Sequence, residues 1–310
     1  MSGLVTIGET LALVSAGPLA HVTTAGVGIG GAESNVAIGV RRLGGVAAWV
    51  GRVGDDSFGT RVLRELRAED LSVHATTDTD APTGLMVKEA RTPGTSRVWY
   101  YRAGSAGSRL RPDDLPRETI AGADVLHLTG ITPGLSDDAL DAVREAIALA
   151  SGATVSFDVN HRPAVWGDRD AAPVYPELAR AAGVVFAGED EARLLTGSDA
   201  QDAARLLAAL AAATGGDAVL KQGSDGCLAV VDGTTYDLPA LPVRVVDTVG
   251  AGDAFVAGYL AELLAGRPAP DRLRTAVRCG AFACLAPGDW EGLPTRRDLD
   301  ALERPDPVVR

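Results

Sequence analysis

The stretch Asp247-Thr248-Val249-Gly250-Ala251-Gly252-Asp253-Ala254-Phe255 sets an acid directly beside two glycines and an alanine. A valine-rich run, Val243 to Val246, leads in, and an apolar helical pattern, Phe255 to Leu264, leads out. The glycines are therefore expected where a strand stops and a helix starts. Backbone N–H groups lack partners at such a point, and the helix dipole adds partial positive charge. Gly250, Ala251 and Gly252 would thus cradle an anion, a phosphate above all. Asp253, one residue further in, stands where a base is needed if a hydroxyl is to attack that phosphate. The chemistry expected is phosphoryl transfer to a small hydroxylated substrate. The same residues also have a purely structural reading. An Asp in a first turn stabilises a helix, and Gly-Ala-Gly permits a tight turn.

Other groups weight the choice. Gly30-Gly31 followed by Asn35 offers bare backbone and an amide that both donates and accepts, which suits a polyhydroxy ligand. In a strand through Tyr100-Tyr101-Arg102, Tyr100 and Arg102 share one face and Tyr101 takes the other. A phenol and a guanidinium together can grip a hydroxyl or a carboxylate. Asp158-Val159-Asn160-His161-Arg162 closes an apolar strand pattern, and Asp158, Asn160 and Arg162 alternate onto one face if the strand geometry continues. Glu189, Asp190 and Glu191 open a helix, where acids complement the dipole, and one of them can also hold magnesium through water. Lys221, Gly223, Ser224 and Gly226 form a turn after another strand and could flank a nucleotide. Asp289, beside Trp290 and Glu291, is expected to close a helix.

Strands and helices must alternate to position these groups. Leu4 to Ile7, Val46 to Val50, Val125 to Thr129, Thr154 to Val159, Val184 to Ala187 and Ala218 to Lys221 read as buried strands. Helical patterns cover Glu33 to Leu43, Phe58 to Glu69, Asp137 to Ala150 and Asp202 to Ala213. Such alternation implies an α/β protein with a parallel sheet covered on both faces. Two strand-like regions break the rhythm, 11–29 and 83–102, the second divided by Pro93-Gly94 into a hairpin pattern. They are expected to form a lid over the cleft. The tail, Pro305 to Arg310, reads as loosely held.

Composition removes several classes. A net charge of −12 speaks against nucleic acid. Only two lysines occur, Lys88 and Lys221, and neither follows a glycine, so there is no Walker-type loop. Gly26, Gly28 and Gly31 match a dinucleotide fingerprint, yet no acid lies between Glu33 and Asp55 to bind a ribose. Three cysteines lack metal or redox spacing, and His127 reads as a core residue. With no leader and no long apolar run, the expected location is the cytoplasm, without membrane contact.

Taken together, Gly30-Gly31 with Asn35, and Asp247 to Asp253, resemble the two motifs of the ribokinase-like (PfkB) carbohydrate kinases, over about Thr6 to Leu302. Gly51 to Asp56, the Tyr100-Tyr101-Arg102 stretch, Leu128-Thr129-Gly130-Ile131-Thr132-Pro133, and Asp158 to Arg162 look most like the 2-keto-3-deoxygluconate kinases of that family. The resemblance implies a single three-layer αβα domain over 1–310. It also implies ATP with Mg2+ as phosphoryl donor, in some members K+, and often an oligomer. It assigns Asp253 as base and Gly250, Ala251 and Gly252 as anion hole. Gly31, Asn35, Tyr100, Arg102, Asn160, Arg162 and Asp289 would line the sugar site. One departure stands out: the usual Asn-x-x-Glu linked to magnesium is here Gly188-x-x-Glu191. Fructokinases look similar around Asp158 to Arg162, and a sugar-binding regulator without activity is the alternative of another class.

Overall fold

The computed structural model describes residues 3–92 and 95–302. Thirteen strands are present among them: β1 Leu4–Ile7, β2 Leu11–Ala16, β3 Gly26–Gly30, β4 Ala47–Gly54, β5 Ser72–Asp78, β6 Leu85–Thr92, β7 Thr95–Tyr101, β8 Val125–Thr129, β9 Thr154–Asp158, β10 Val184–Gly188, β11 Asp217–Lys221, β12 Cys227–Val231 and β13 Thr234–Leu238. Nine form one sheet in the order β13-β12-β11-β10-β9-β8-β1-β4-β5. From β11 to β5 every neighbouring pair is parallel, and the β11–β12 and β12–β13 pairs are antiparallel.

Two separate apolar clusters lie on the two faces of this sheet, which is what makes three layers. Leu140, Val143, Leu178, Leu195, Leu206 and Leu210 belong to one; Val36, Val62, Leu66, Val256, Leu260 and Leu273 belong to the other. Helices Asp137–Leu149, Val174–Ala181, Glu189–Thr196 and Ala203–Ala213 thus cover one face, and Ala32–Arg42, Ser57–Ala68, Ala251–Leu264 and Ala269–Ala283 cover the other. Central strands buried on both sides read as unbroken apolar runs for this reason. Ser136 caps the helix Asp137–Leu149 by accepting from the Ala139 N–H at 3.0 Å, as its place in the sequence suggests. Among the described residues no helix is long and apolar enough to cross a membrane.

The two irregular regions pair with each other as a four-stranded sheet, β3-β2-β6-β7, apart from the main one. Leu11, Leu13 and Met86 form its small apolar face. The expected Pro93-Gly94 turn and the tail Pro305 to Arg310 lie outside the described residues.

Two expectations are corrected. Val243 to Val246 is not a strand: the backbone from 239 to 248 is irregular, and Val245 is 56% exposed. The run adds no strand beyond β13, which ends the sheet on that side, and Pro239 and Pro242 bring no N–H to a ladder. The glycines of 250–252 therefore open a helix from a loop. Asp289 does not close a helix either; Ala269–Ala283 ends earlier, and Asp289 lies in the bend that follows.

Arg52, within the Gly51 to Asp56 stretch, is structural. It is 8% exposed, donates to Asp78 at 2.8 Å and to both oxygens of Asp114 at 2.8 Å. The guanidinium helps hold the Asp78 carboxyl below the usual range. Removing one member of such a buried set strands the other charges. Arg52→Ala is expected to lower unfolding free energy by about 3–5 kcal/mol in urea titrations; a loss within experimental error would contradict this role.

Candidate active site

A cleft of about 1430 Å³ opens between the small sheet and the carboxyl ends of the central strands. Met86, Tyr100 and Arg102 come to it from the small sheet, and Asn160, Lys221 and Asp253 from the core. Strand ends in an open α/β sheet are where such a cleft is expected.

Asp253 sits at its floor, 9% exposed. The helix Ala251–Leu264 starts from Gly250, whose φ of 75° is left-handed and whose missing Cβ leaves room for the Asp289 carbonyl. The Ala251 N–H donates to the Thr248 carbonyl at 3.2 Å, closing the turn. The Gly250, Gly252 and Asp253 amides have no acceptor within the described protein. Those three residues, unlike Ala251, line the cleft.

Two amides hold the Asp253 carboxylate. Asn35 Nδ2 donates to one oxygen at 2.8 Å and Asn160 Nδ2 to the other at 3.2 Å. Asn160 reaches it because the strand does not continue as expected: β9 ends at Asp158, and Asn160 takes φ 36°. A left-handed backbone is costly for most residues and tolerable for Asn, and it turns this side chain into the cleft. With both NH₂ groups committed to Asp253, the Asn35 and Asn160 Oδ1 atoms are buried without a partner. Buried acceptors left open beside a carboxylate suit hydroxyl donors of a ligand. Burial, the largest influence, and the nearby Asp158 charge push the Asp253 carboxyl up to about 7, against the Asn35 hydrogen bond and the Lys221 and Arg162 charges.

The cations differ in availability. Lys221 pairs with Asp158 at 2.7 and 2.8 Å, crossing the end of β10 where Gly188 presents no side chain. Gly223, Ser224 and Gly226 follow it in a hairpin turn and do not line the cleft. Arg102 is ion-paired with Glu9 at 2.6 Å, and its guanidinium lies 5.9 Å from the Tyr100 ring centroid. Lys88 pairs with Asp247. Arg162 is exposed to the cleft, donates only to the His161 carbonyl at 3.3 Å, and meets no carboxylate among the described residues. Tyr101 is 64% exposed and turned away, as the alternation predicted.

Glu191 is engaged by backbone: its oxygens accept from His161 N at 2.9 Å and Gly188 N at 2.7 Å. The second bond caps the helix Glu189–Thr196. Among the described residues no cluster of three metal-ligating side chains occurs. Gly30 and Gly31 form the wall opposite, where a Cβ on Gly30 would collide with the Asp289 carboxyl. Burial pushes that carboxyl up to about 6, against the Lys88 charge.

Sequence reasoning missed two acids of this wall, Glu9 and Glu33. Glu33 is 1% exposed and accepts from Thr129 and Thr132, each at 2.7 Å; burial drives its carboxyl upward. Its signal was present, since it shares a helix face with Val36 and Val40, where an acid has no place unless it is hydrogen-bonded.

A model of the pfkB family of carbohydrate kinases matches residues 1–296. The chain is 38% identical over 306 residues to a 2-dehydro-3-deoxygluconokinase of Bacillus subtilis, covering 95% of this chain and 93% of that one. It is 38% identical over 283 residues to a fructokinase of Klebsiella pneumoniae, covering 87% and 90%. A solved fructokinase of Vibrio cholerae with fructose, ADP and calcium ion bound superposes with a TM-score of 0.86 at 28% identity, over 96% of this chain and 98% of that one. With the three-layer fold, the small sheet and the acid at a glycine-opened helix already in place, these likenesses settle the family: the chain belongs to the pfkB carbohydrate kinases.

Proposed function

We propose that the protein transfers the γ-phosphoryl group of ATP to the 6-hydroxyl of 2-keto-3-deoxygluconate, with Asp253 as general base. The observation that carries this reading is the buried Asp253 carboxylate, fixed by two amides whose own oxygens are left open to sugar hydroxyls. The free amides of Gly250, Gly252 and Asp253 receive the transferring group, and Lys221, anchored by Asp158, adds positive charge beneath it. Phosphoryl transfer needs positioning and neutralisation more than covalent help. Asp253 takes the hydroxyl proton as the oxygen attacks.

The donor set fits a nucleotide better than it fits a protein-bound ion. Each Glu191 oxygen keeps one lone pair beyond its backbone bond, so it can reach magnesium through water while the nucleotide phosphates hold the ion. Magnesium, when bound, neutralises phosphate charge. The ADP in the related fructokinase structure supports a nucleotide in this cleft.

A sugar acid is favoured over a neutral sugar by Arg162, a cleft guanidinium without a carboxylate partner. A fructokinase activity is the second reading, supported by the Klebsiella pneumoniae likeness. Arg162→Ala is expected to reduce kcat/KM for 2-keto-3-deoxygluconate by about 10- to 100-fold, with fructose affected far less. Equal losses on both sugars would favour the fructokinase reading.

Asp253→Asn should lower kcat by about 10²- to 10⁴-fold; a variant with nearly full turnover would remove Asp253 from the chemistry. Because the base works ionised, kcat/KM should fall with decreasing pH through about 7. The stability sign is opposite. A raised carboxyl favours the folded state at low pH and loses that contribution as pH rises through about 7. Asp253→Asn lacks that loss, so its Tm relative to the parent should rise from acid to alkaline pH, and a flat difference would contradict the shift.

A further inference from the structure

We infer that Glu9 is a positioning residue for the acceptor, holding Arg102 toward the substrate carboxylate at the hinge between core and small sheet. The inference rests on the sugar-acid reading above. Glu9 lies in the three-residue link between β1 of the main sheet and β2 of the small one. It is 3% exposed, and both its oxygens are engaged: one accepts from Arg102 Nε at 2.8 Å and lies 2.6 Å from Arg102 Nη2, and the other accepts from Ser105 Oγ. Arg102 is the first residue after β7, so the pair joins the chain's entry to the small sheet with its exit.

The surroundings are shaped to this carboxylate. A Cβ on Gly84, just before β6, or on Gly107, where the chain re-enters the core, would collide with the Glu9 side chain. Ala12 N–H donates to the Gly84 carbonyl at 2.9 Å and Ala106 N–H to the Pro82 carbonyl at 2.8 Å, so the crossings around Glu9 are tied together. One carboxylate oxygen seated between Nε and Nη2 restrains that edge of the guanidinium, and the Ser105 bond to the other oxygen restrains the carboxylate. The pair leaves the remaining edge of Arg102 and the Tyr100 ring facing the cleft. A substrate carboxylate then meets a guanidinium already oriented, at a smaller ordering cost.

Two opposed effects make the inference testable. If Glu9 acted only as a negative charge near the site, removing it would tighten a sugar acid; if it positions Arg102, removing it weakens one. Steady-state kinetics of Glu9→Gln, Arg102→Ala and the double variant should be measured with 2-keto-3-deoxygluconate and fructose, with ADP affinity followed by calorimetry. Expected are a KM for the sugar acid raised about tenfold or more in each single variant, kcat changed little, ADP affinity unchanged, and a double variant no worse than Arg102→Ala alone. Ser105→Ala, which keeps the ion pair and loosens one oxygen, should move KM the same way by a smaller factor and covers the case of a Glu9→Gln protein that does not fold. An unchanged or lowered KM, or equal losses for both sugars and ADP, would overturn the inference while leaving the sugar-acid reading intact. A parent enzyme inactive on the sugar acid would overturn both.

Discussion

A carboxylate out of water is the constraint around which this molecule is arranged. Burying an ionised acid is expensive unless donors replace its hydration. Here the donors come from far apart in sequence: Asn35 opens one helix, Asn160 lies beyond a central strand, and Asp253 opens another helix. Their meeting requires the three-layer fold, because only the crowding of strand ends at one edge brings these positions together. The balance is incomplete by design of the site. Two amide donors offset part of the desolvation, and the carboxyl rests near neutrality, where a base is both available and strong enough to be useful.

The other charges in the cleft follow a related logic. Three of its cations already have carboxylate partners: Lys221 with Asp158, Arg102 with Glu9 and Lys88 with Asp247. Pairing fixes the position of each cation and limits the attraction of stray anions. Arg162 alone among the cleft's described cations has no such partner, so an anionic acceptor can satisfy it while also meeting the oriented Arg102. The glycine at 188 belongs to this arrangement. A lysine side chain passes over the strand end at that level, and the acid three residues on is turned to backbone.

Much of this was legible in the sequence, and the limits have physical causes. The parallel core announced itself because strands buried on both faces are unbroken apolar runs. The small sheet was visible as two β-rich stretches with no helix after them, and both motifs fall on the cleft. The valine run at 243–246 misled because β-branched residues report a preference for extended backbone, not the presence of a neighbouring strand to pair with. The alternation read into Asp158, Asn160 and Arg162 failed at Asn160, where a left-handed residue breaks period two. Which arginine is free could not be read at all: Arg102 and Glu9 are separated by 93 positions, and no local pattern connects them.

The central claim is that the Asp253 carboxyl is held in a buried, near-neutral state by its surroundings. The most direct measurement is its carboxyl ¹³C chemical shift against pH in aspartate-labelled protein, assigned by the signal missing from Asp253→Asn. A midpoint near about 7 is the predicted result. A midpoint near about 4, the ordinary value for an exposed aspartate, would contradict the account.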